Sequence, residues 1–244
     1  MLGNFLELSV NAQPIGESFQ FYRSLGFTDV PTGDIHRHGY AVVFDGGLCV
    51  GLHELEAGES RLTFARPELK NYWHALRRLR IDFEFTKLGD DEFHELGFRD
   101  PDGHLLVLIE ARTFAPGDWQ DYRGAICGSL LEYSLMTRSL KTATNFWQAL
   151  GFETVSEGLE THPWARVRGF GLSIGLHETS YFDPGPSYRM TDLSTRLAFL
   201  EAKNLKPTGR RAAIGPLHAA ATIVAPELTP IYLFEAAESS FPWR

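Results

Sequence analysis

The chain has 244 residues, 43% of them apolar and 22% charged, with a net charge of −8. That composition excludes a disordered, collagenous or coiled-coil chain, and the acidic balance gives no general attraction to nucleic acid or anionic lipid. Two cysteines without a CxxC pair, Cys49 and Cys127, argue against a disulfide framework or a cysteine zinc site.

No apolar run approaches the ~20 residues that span a bilayer, and Met1–Asn4 lacks the basic region of a signal peptide. The expectation is a cytoplasmic protein of one large or two modest domains.

In chain order, Phe5–Val10 alternates as a strand does. Pro14 then opens a helix whose face carries Ile15, Phe19 and Tyr22, and Gly26 suits the left-handed residue that ends it. Tyr40–Phe44 and Leu48–His53 read as strands joined by an Asp45-Gly46-Gly47 turn. Leu62–Ala65 reads as a strand, and Pro67 starts a second helix with Leu69, Tyr72, Trp73, Leu76 and Leu79 on one face. Phe83–Thr86, Phe93–Arg99 and Leu105–Ile109 read as strands, with a type I turn at Asp100-Pro101-Asp102-Gly103.

The second half repeats the first. Leu6-Glu7-Leu8-Ser9 returns as Leu131-Glu132-Tyr133-Ser134, and Leu25-Gly26-Phe27 as Leu150-Gly151-Phe152, both at an offset of 125. Gly51-Leu52-His53-Glu54 returns as Gly175-Leu176-His177-Glu178 at an offset of 124. A repeated helix carries Leu140, Thr144 and Trp147. We expect a first domain over 1–114, a linker over 115–126 and a second domain over 127–244, each domain built from two βαβββ units.

The stretches Ser18–Phe27 and Phe98–Leu105, the latter with its DPDG turn, resemble the vicinal oxygen chelate superfamily, which includes glyoxalase I, bleomycin-resistance proteins and type I extradiol dioxygenases. The last quarter departs from the pattern, with Ala225-Pro226-Glu227-Leu228 where the DPDG turn is expected. The resemblance implies an α+β fold of four βαβββ units, paired into two cup-shaped sheets with the functional cleft inside each cup. It also implies where a divalent ion would be held in the metal-dependent members: Phe5 and Leu130 on the first strands, Val107 and Tyr232 on the closing strands, and Gly51 and Gly175. These residue types make poor ligands, so the expectation is no metal cofactor.

Glu7 and Glu132 lie two residues beyond those first-strand positions, and His53 and His177 two beyond the glycines. Glu7 with His53, and Glu132 with His177, form either a displaced metal or acid–base pair or a buried polar pair that orders the sheet. His38 with Tyr40, and His162 with Trp164, place an aromatic beside a histidine at the mouth of each cup, suited to stacking on a planar ligand. Gly51 and Gly175 would make room for it.

Weaker candidates are His94 and His218, the solvated arginines Arg77, Arg78 and Arg80, the pair Arg210-Arg211, and the thiol Cys49. The functional expectation is a binding protein or metal-independent enzyme for a small apolar or aromatic molecule. The alternative is a metal-dependent lyase or dioxygenase with non-standard ligands. A small-molecule partner, no nucleic acid, no membrane, and a monomer or homodimer complete the reading.

Overall fold

In the computed structural model, which describes residues 2–32, 37–111, 125–207, 213–214 and 217–235, each half of the chain lays eight strands and two helices in the same order. The first half runs β1 (Asn4–Asn11), α1 (Ile15–Ser24), β2 (Thr28–Val30), β3 (Tyr40–Phe44) and β4 (Cys49–His53). It continues β5 (Arg61–Arg66), α2 (Leu69–Arg78), β6 (Phe83–Lys87), β7 (Glu95–Arg99) and β8 (Leu105–Glu110). The second half runs β9 (Ser129–Met136), α3 (Leu140–Ala149), β10 (Glu153–Gly158), β11 (Trp164–Gly169) and β12 (Leu172–His177). It ends β13 (Gly185–Met190), α4 (Leu193–Ala202), β14 (Ala213–Ile214), β15 (Leu217–Val224) and β16 (Pro230–Glu235).

The strand order is β2-β3-β4-β1-β5-β8-β7-β6 in one sheet and β10-β11-β12-β9-β13-β16-β15-β14 in the other. Each sheet is therefore two βαβββ units joined through their first strands, β1 to β5 and β9 to β13, which run antiparallel. This is the expected α+β architecture. The helix-facing residues of both sheets, among them Leu8, Val10, Phe64, Leu106, Leu135, Ile174 and Leu233, join one buried apolar cluster that crosses between the halves. No helix among the described residues is long and apolar enough to cross a membrane.

The sequence places most elements within two residues and errs on some faces. Leu79 lies beyond α2 and is exposed rather than packed. In α3 it is Ala143, not Thr144, that is buried beside Trp147. The exposed three-residue strand β2 carries no apolar alternation by which it could be read. Residues 112–124, most of the expected linker, lie outside the described residues, as do Arg210-Arg211 and the side chain of His218.

The departure at Ala225–Leu228 is a change of use and keeps a turn. In the first half, Asp100 accepts hydrogen bonds from the backbone N–H of Asp102 and His104, and Asp102 accepts from Arg138 of the other half. At the matching turn of the second half, Glu227 accepts hydrogen bonds from Ser18 and Tyr22 of α1 at 2.6 and 2.7 Å. Each turn thus ties its own half to the other, and Tyr188 adds a buried bond to Asp45.

Candidate functional site

A β-bulge decides which residues face the cup. β1 pairs Phe5 with Phe64 and Glu7 with Thr63, so Leu6 is an extra residue in the ladder. An extra residue turns the side chains on its two sides to opposite faces. Phe5 accordingly packs into the core, its ring 5.6 Å from that of Phe64, while Glu7 points into the cup. The second sheet repeats the device at Leu131, so that Leu130 packs against the core and Glu132 takes the cup face. Two residues apart on a regular strand, Phe5 and Glu7 would share a face, as would Leu130 and Glu132; the bulges overturn that. Glu7 and Glu132 themselves fill the cup-facing position of the first strands.

Abreast of them lie Thr63 and Val107 in the first sheet and Ser187 and Tyr232 in the second. Val107 and Tyr232 stand where the sequence placed them. Thr63 and Ser187 escaped the reading, although they recur at an offset of 124.

The two glutamates begin matching hydrogen-bonded chains. In the first cup, His53 Nε2 lies 2.8 Å from Glu7 Oε1, and His38 Nε2 lies 2.9 Å from His53 Nδ1. Ser9 donates to Glu7 Oε1 at 2.7 Å, Tyr40 donates to Oε2 at 2.6 Å, and Ser9 also meets Thr63 at 2.7 Å. In the second cup, His177 Nε2 lies 2.7 Å from Glu132 Oε1, and His162 Nε2 lies 3.0 Å from His177 Nδ1. Ser134 donates to Glu132 Oε1 at 3.1 Å and meets Ser187 at 2.7 Å. Here the bond to Oε2 comes from Arg166 Nε, at 2.7 Å.

The order follows from pairing. Tyr40 sits opposite His53, and Trp164 opposite His177, so the aromatic and the histidine share a neighbourhood in both sheets. Glu7, His53, Glu132 and His177 are buried, whereas His38 and His162 are half-buried at the mouths. The structure therefore joins Glu7, His38, Tyr40 and His53 into one network, and Glu132, His162 and His177 into another. Trp164 stands apart: its indole donates to Glu160 at 3.0 Å, and Arg166 donates to Glu132 Oε2 as Tyr40 donates to Glu7 Oε2 in the first cup.

The glycines have a different purpose from the one expected. A Cβ on Gly51 would lie 2.2 Å from the Glu7 carboxyl, and one on Gly175 would lie 1.9 Å from Glu132 Oε1. The glutamate side chains, not a ligand, take the space over these glycines. Gly51→Ala and Gly175→Ala are each expected to cost about 1–3 kcal/mol by overpacking, measured by urea denaturation. A cost under about 0.5 kcal/mol would place the carboxylates elsewhere.

Burial pushes the Glu7 carboxyl up, but the bond and charge of His53 and the bonds of Tyr40 and Ser9 outweigh it and hold it below the ordinary carboxylate value. Burial likewise opposes ionisation of Glu132, yet His177 and Arg166 hold it down to about 2. Both glutamates are therefore carboxylates at neutral pH. A carboxylate only accepts hydrogen bonds, so Nε2 of His53 and of His177 carries the proton. An Nδ1 without a proton on the inner ring accepts from the Nε2–H of the mouth histidine. The His38 and His162 imidazoles are biased to the neutral form by burial and by the adjoining histidine. Burial pushes the Cys49 thiol up to about 12, which leaves it un-ionised and a poor nucleophile.

This donor set does not fit a divalent metal. Both oxygens of each glutamate already accept hydrogen bonds. The inner imidazole nitrogens face a carboxylate on one side and a second imidazole on the other, and a guanidinium stands against Glu132. Thr63 and Ser187 are spent on Ser9 and Ser134, and Tyr232 donates to the Asp183 carbonyl at 2.8 Å. Among the described residues, no group of three or more His, Cys, Asp and Glu side chains is placed to hold an ion. His94 lies away from the cups, bonded to Glu110 at 2.6 Å.

The sequence matches no protein-family model and no curated protein. Solved structures do match. A point variant of homoprotocatechuate 2,3-dioxygenase from Brevibacterium fuscum superposes with a TM-score of 0.65 at 13% identity, over 96% of this chain and 71% of that one. 2,2',3-Trihydroxybiphenyl 1,2-dioxygenase from Sphingomonas wittichii gives 0.64 at 13% identity, over 97% and 91%. A 2,3-dioxygenase from a Pseudomonas species gives 0.63 at 16%, over 99% and 96%. These extradiol dioxygenases belong to the vicinal oxygen chelate superfamily, and the chain shares their fold.

Proposed function

We propose that this chain, which has the tandem fold of the vicinal oxygen chelate superfamily, is a metal-independent small-molecule protein. On this reading it works through a carboxylate–imidazole–imidazole relay in its cup. The observation that carries the reading is the chain Glu7–His53–His38, built a second time as Glu132–His177–His162 with the same atoms in contact.

The carboxylate fixes the tautomer of the inner histidine and stabilises positive charge on it. The inner ring in turn presents a lone pair to the outer ring. The outer ring, biased to its neutral form by burial and by the adjoining histidine, keeps the basic nitrogen that a general base needs, and the chain behind it takes up part of the charge when a proton arrives. The half-buried aromatic Tyr40, whose ring centroid lies 4.7 Å from that of His53, supplies an edge on which a planar molecule stacks.

The ligand class is therefore a small planar acid, a phenol, an enol or a carboxylic acid, bound with its acidic group at the mouth histidine. Likeness to dioxygenases that act on catechol-type molecules accords with an aromatic ligand, while the chemistry here rests on the relay.

The test is calorimetric titration of the intact protein with one- and two-ring phenols and carboxylic acids, in two buffers of different ionisation heat. Saturable binding with proton transfer to the protein, lost in His38→Ala, is expected. Binding to no member of the panel, or binding indifferent to that substitution, would contradict the reading.

A further inference from the structure

The two relays differ in what holds the far oxygen of the carboxylate: a neutral phenol, Tyr40, in the first cup and a guanidinium, Arg166, in the second. We infer that the cups have divided their labour, the first relay accepting a proton from a ligand and the second held permanently neutral by Arg166. This rests on the proposed role of the relays as proton acceptors.

When a ligand acid gives its proton to the first relay, the ligand leaves as its anion and the excess proton is shared by His38 and His53 beside the Glu7 carboxylate. The buried set then changes from −1 to 0. The same step in the second cup changes a set already balanced, Glu132 with Arg166, from 0 to +1. Glu132 and His177 are entirely buried and the Arg166 side chain is 17% exposed. An uncompensated charge there is strongly disfavoured.

Among the described residues, the charged and titratable groups that act on the two relays do not reverse this. In the first cup, Cys49 on β4 stays a neutral thiol, and Asp45, which acts on it, is tied to Tyr188. Arg61 on β5 acts on His38 and Tyr40 and opposes a proton there. It is partly exposed, however, and lies within reach of Glu59, so solvent weakens it relative to a guanidinium bonded directly to the carboxylate. In the second cup, Tyr232 on β16 is a neutral phenol bonded to a carbonyl, Ser187 on β13 is uncharged, and Arg168 on β11 is turned to Ser173. Glu160 is exposed and held by Trp164.

A second, independent difference agrees. Phe182 packs edge-on against both His177 and Tyr232, with centroids 5.4 and 5.6 Å apart, and closes the second cup with an apolar plug. The matching position in the first half is Gly58, and the Arg61 position is Gly185 in the second. The first cup thus has a cation at the edge and no plug at that position; the second has the cation inside and the plug in place.

The experiment is a pH titration of the whole chain followed by histidine ring ¹H–¹⁵N correlations. The His38–His53 pair is expected to take up its proton at a pH at least about one unit above the His162–His177 pair, a tenfold difference in proton affinity. Arg166→Gln should raise the second pair towards the first, while Arg166→Lys should leave it low. Co-titration of the two pairs in the unaltered protein overturns the inference without recourse to a variant. So does a second pair that stays low in folded Arg166→Gln. The probe-binding test above stands or falls separately, because it reads the mouth histidine and not the difference between cups.

Discussion

Glu132→Ala is expected to cost about 3–5 kcal/mol of stability, because it removes one partner of a buried ion pair and leaves Arg166 and His177 facing each other without their shared acceptor. Each loss counts separately: Arg166 Nε, His177 Nε2 and the Ser134 hydroxyl all give up the same carboxylate. Glu7→Ala removes a carboxylate bonded to His53, Tyr40 and Ser9, with no guanidinium left behind, and should cost less, about 1–3 kcal/mol. The ranking separates an ion pair from a hydrogen-bonded carboxylate. Combining Glu132→Ala with Arg166→Ala should cost less than the two single changes added together, since the pair is coupled. Urea denaturation of the unaltered protein and these four variants measures all of this. An equal cost for Glu7→Ala and Glu132→Ala would remove the distinction between the cups.

Acid should unfold the protein by way of the same residue. The Glu132 carboxyl is held down to about 2 in the folded chain, from an ordinary value of 4.5. A carboxyl depressed by folding binds its proton more weakly in the native state. Its contribution is therefore fully present above pH 4.5 and is lost as the pH falls through about 2. For this fully buried group the contribution is on the order of 3 kcal/mol. Unfolding free energy measured at intervals across that window should fall steadily with acid. Glu132→Gln should flatten the fall, leaving the part due to Glu7 and the other carboxyls that folding depresses, Asp102 among them. A slope unchanged by the substitution would mean that Glu132 is not the group being titrated.

The doubled architecture was legible because repetition shows in the sequence without any knowledge of contacts. Leu25-Gly26-Phe27 and its copy mark the same helix end twice, and Gly26 and Gly151 both adopt the positive φ that such an end requires, +90° and +101°. The pairs Glu7–His53 and Glu132–His177 were also legible, as polar residues retained at matching strand positions.

What strand periodicity could not reveal was the bulge at Leu6 and at Leu131. One extra residue reverses a face and moves Glu7 into the position assigned to Phe5. The outer histidines were visible as recurrences at one offset, but their place in the chain of bonds depends on loops that carry no periodic signal. Arg166 was missed because its counterpart in the other copy is Val42, both lying opposite a glycine. A comparison of the two copies that looked for differences as well as identities would have found it. The same holds for Phe182 against Gly58.

The glycines were read as space for a ligand, and in the structure the glutamate side chains lie over them. A chain of residue types cannot say that a carboxylate on the neighbouring strand, two residues from the glycine's register partner, will lie over its α-carbon. The geometry turns Gly51 and Gly175 from lining into support: they let the glutamates lie flat and bring Oε1 within reach of His53 and His177.

The central claim is that imidazole and carboxylate in these cups are spent on one another. Elemental analysis of protein purified without chelator, with the melting temperature followed as Mn, Fe, Ni or Zn is added, tests it most directly. A ligand that binds the native state alone must stabilise that state. The account predicts well under one equivalent of metal per chain and an unmoved melting temperature. One equivalent of a transition metal, lost together with the stabilisation in Glu7→Gln or His53→Ala, would contradict it.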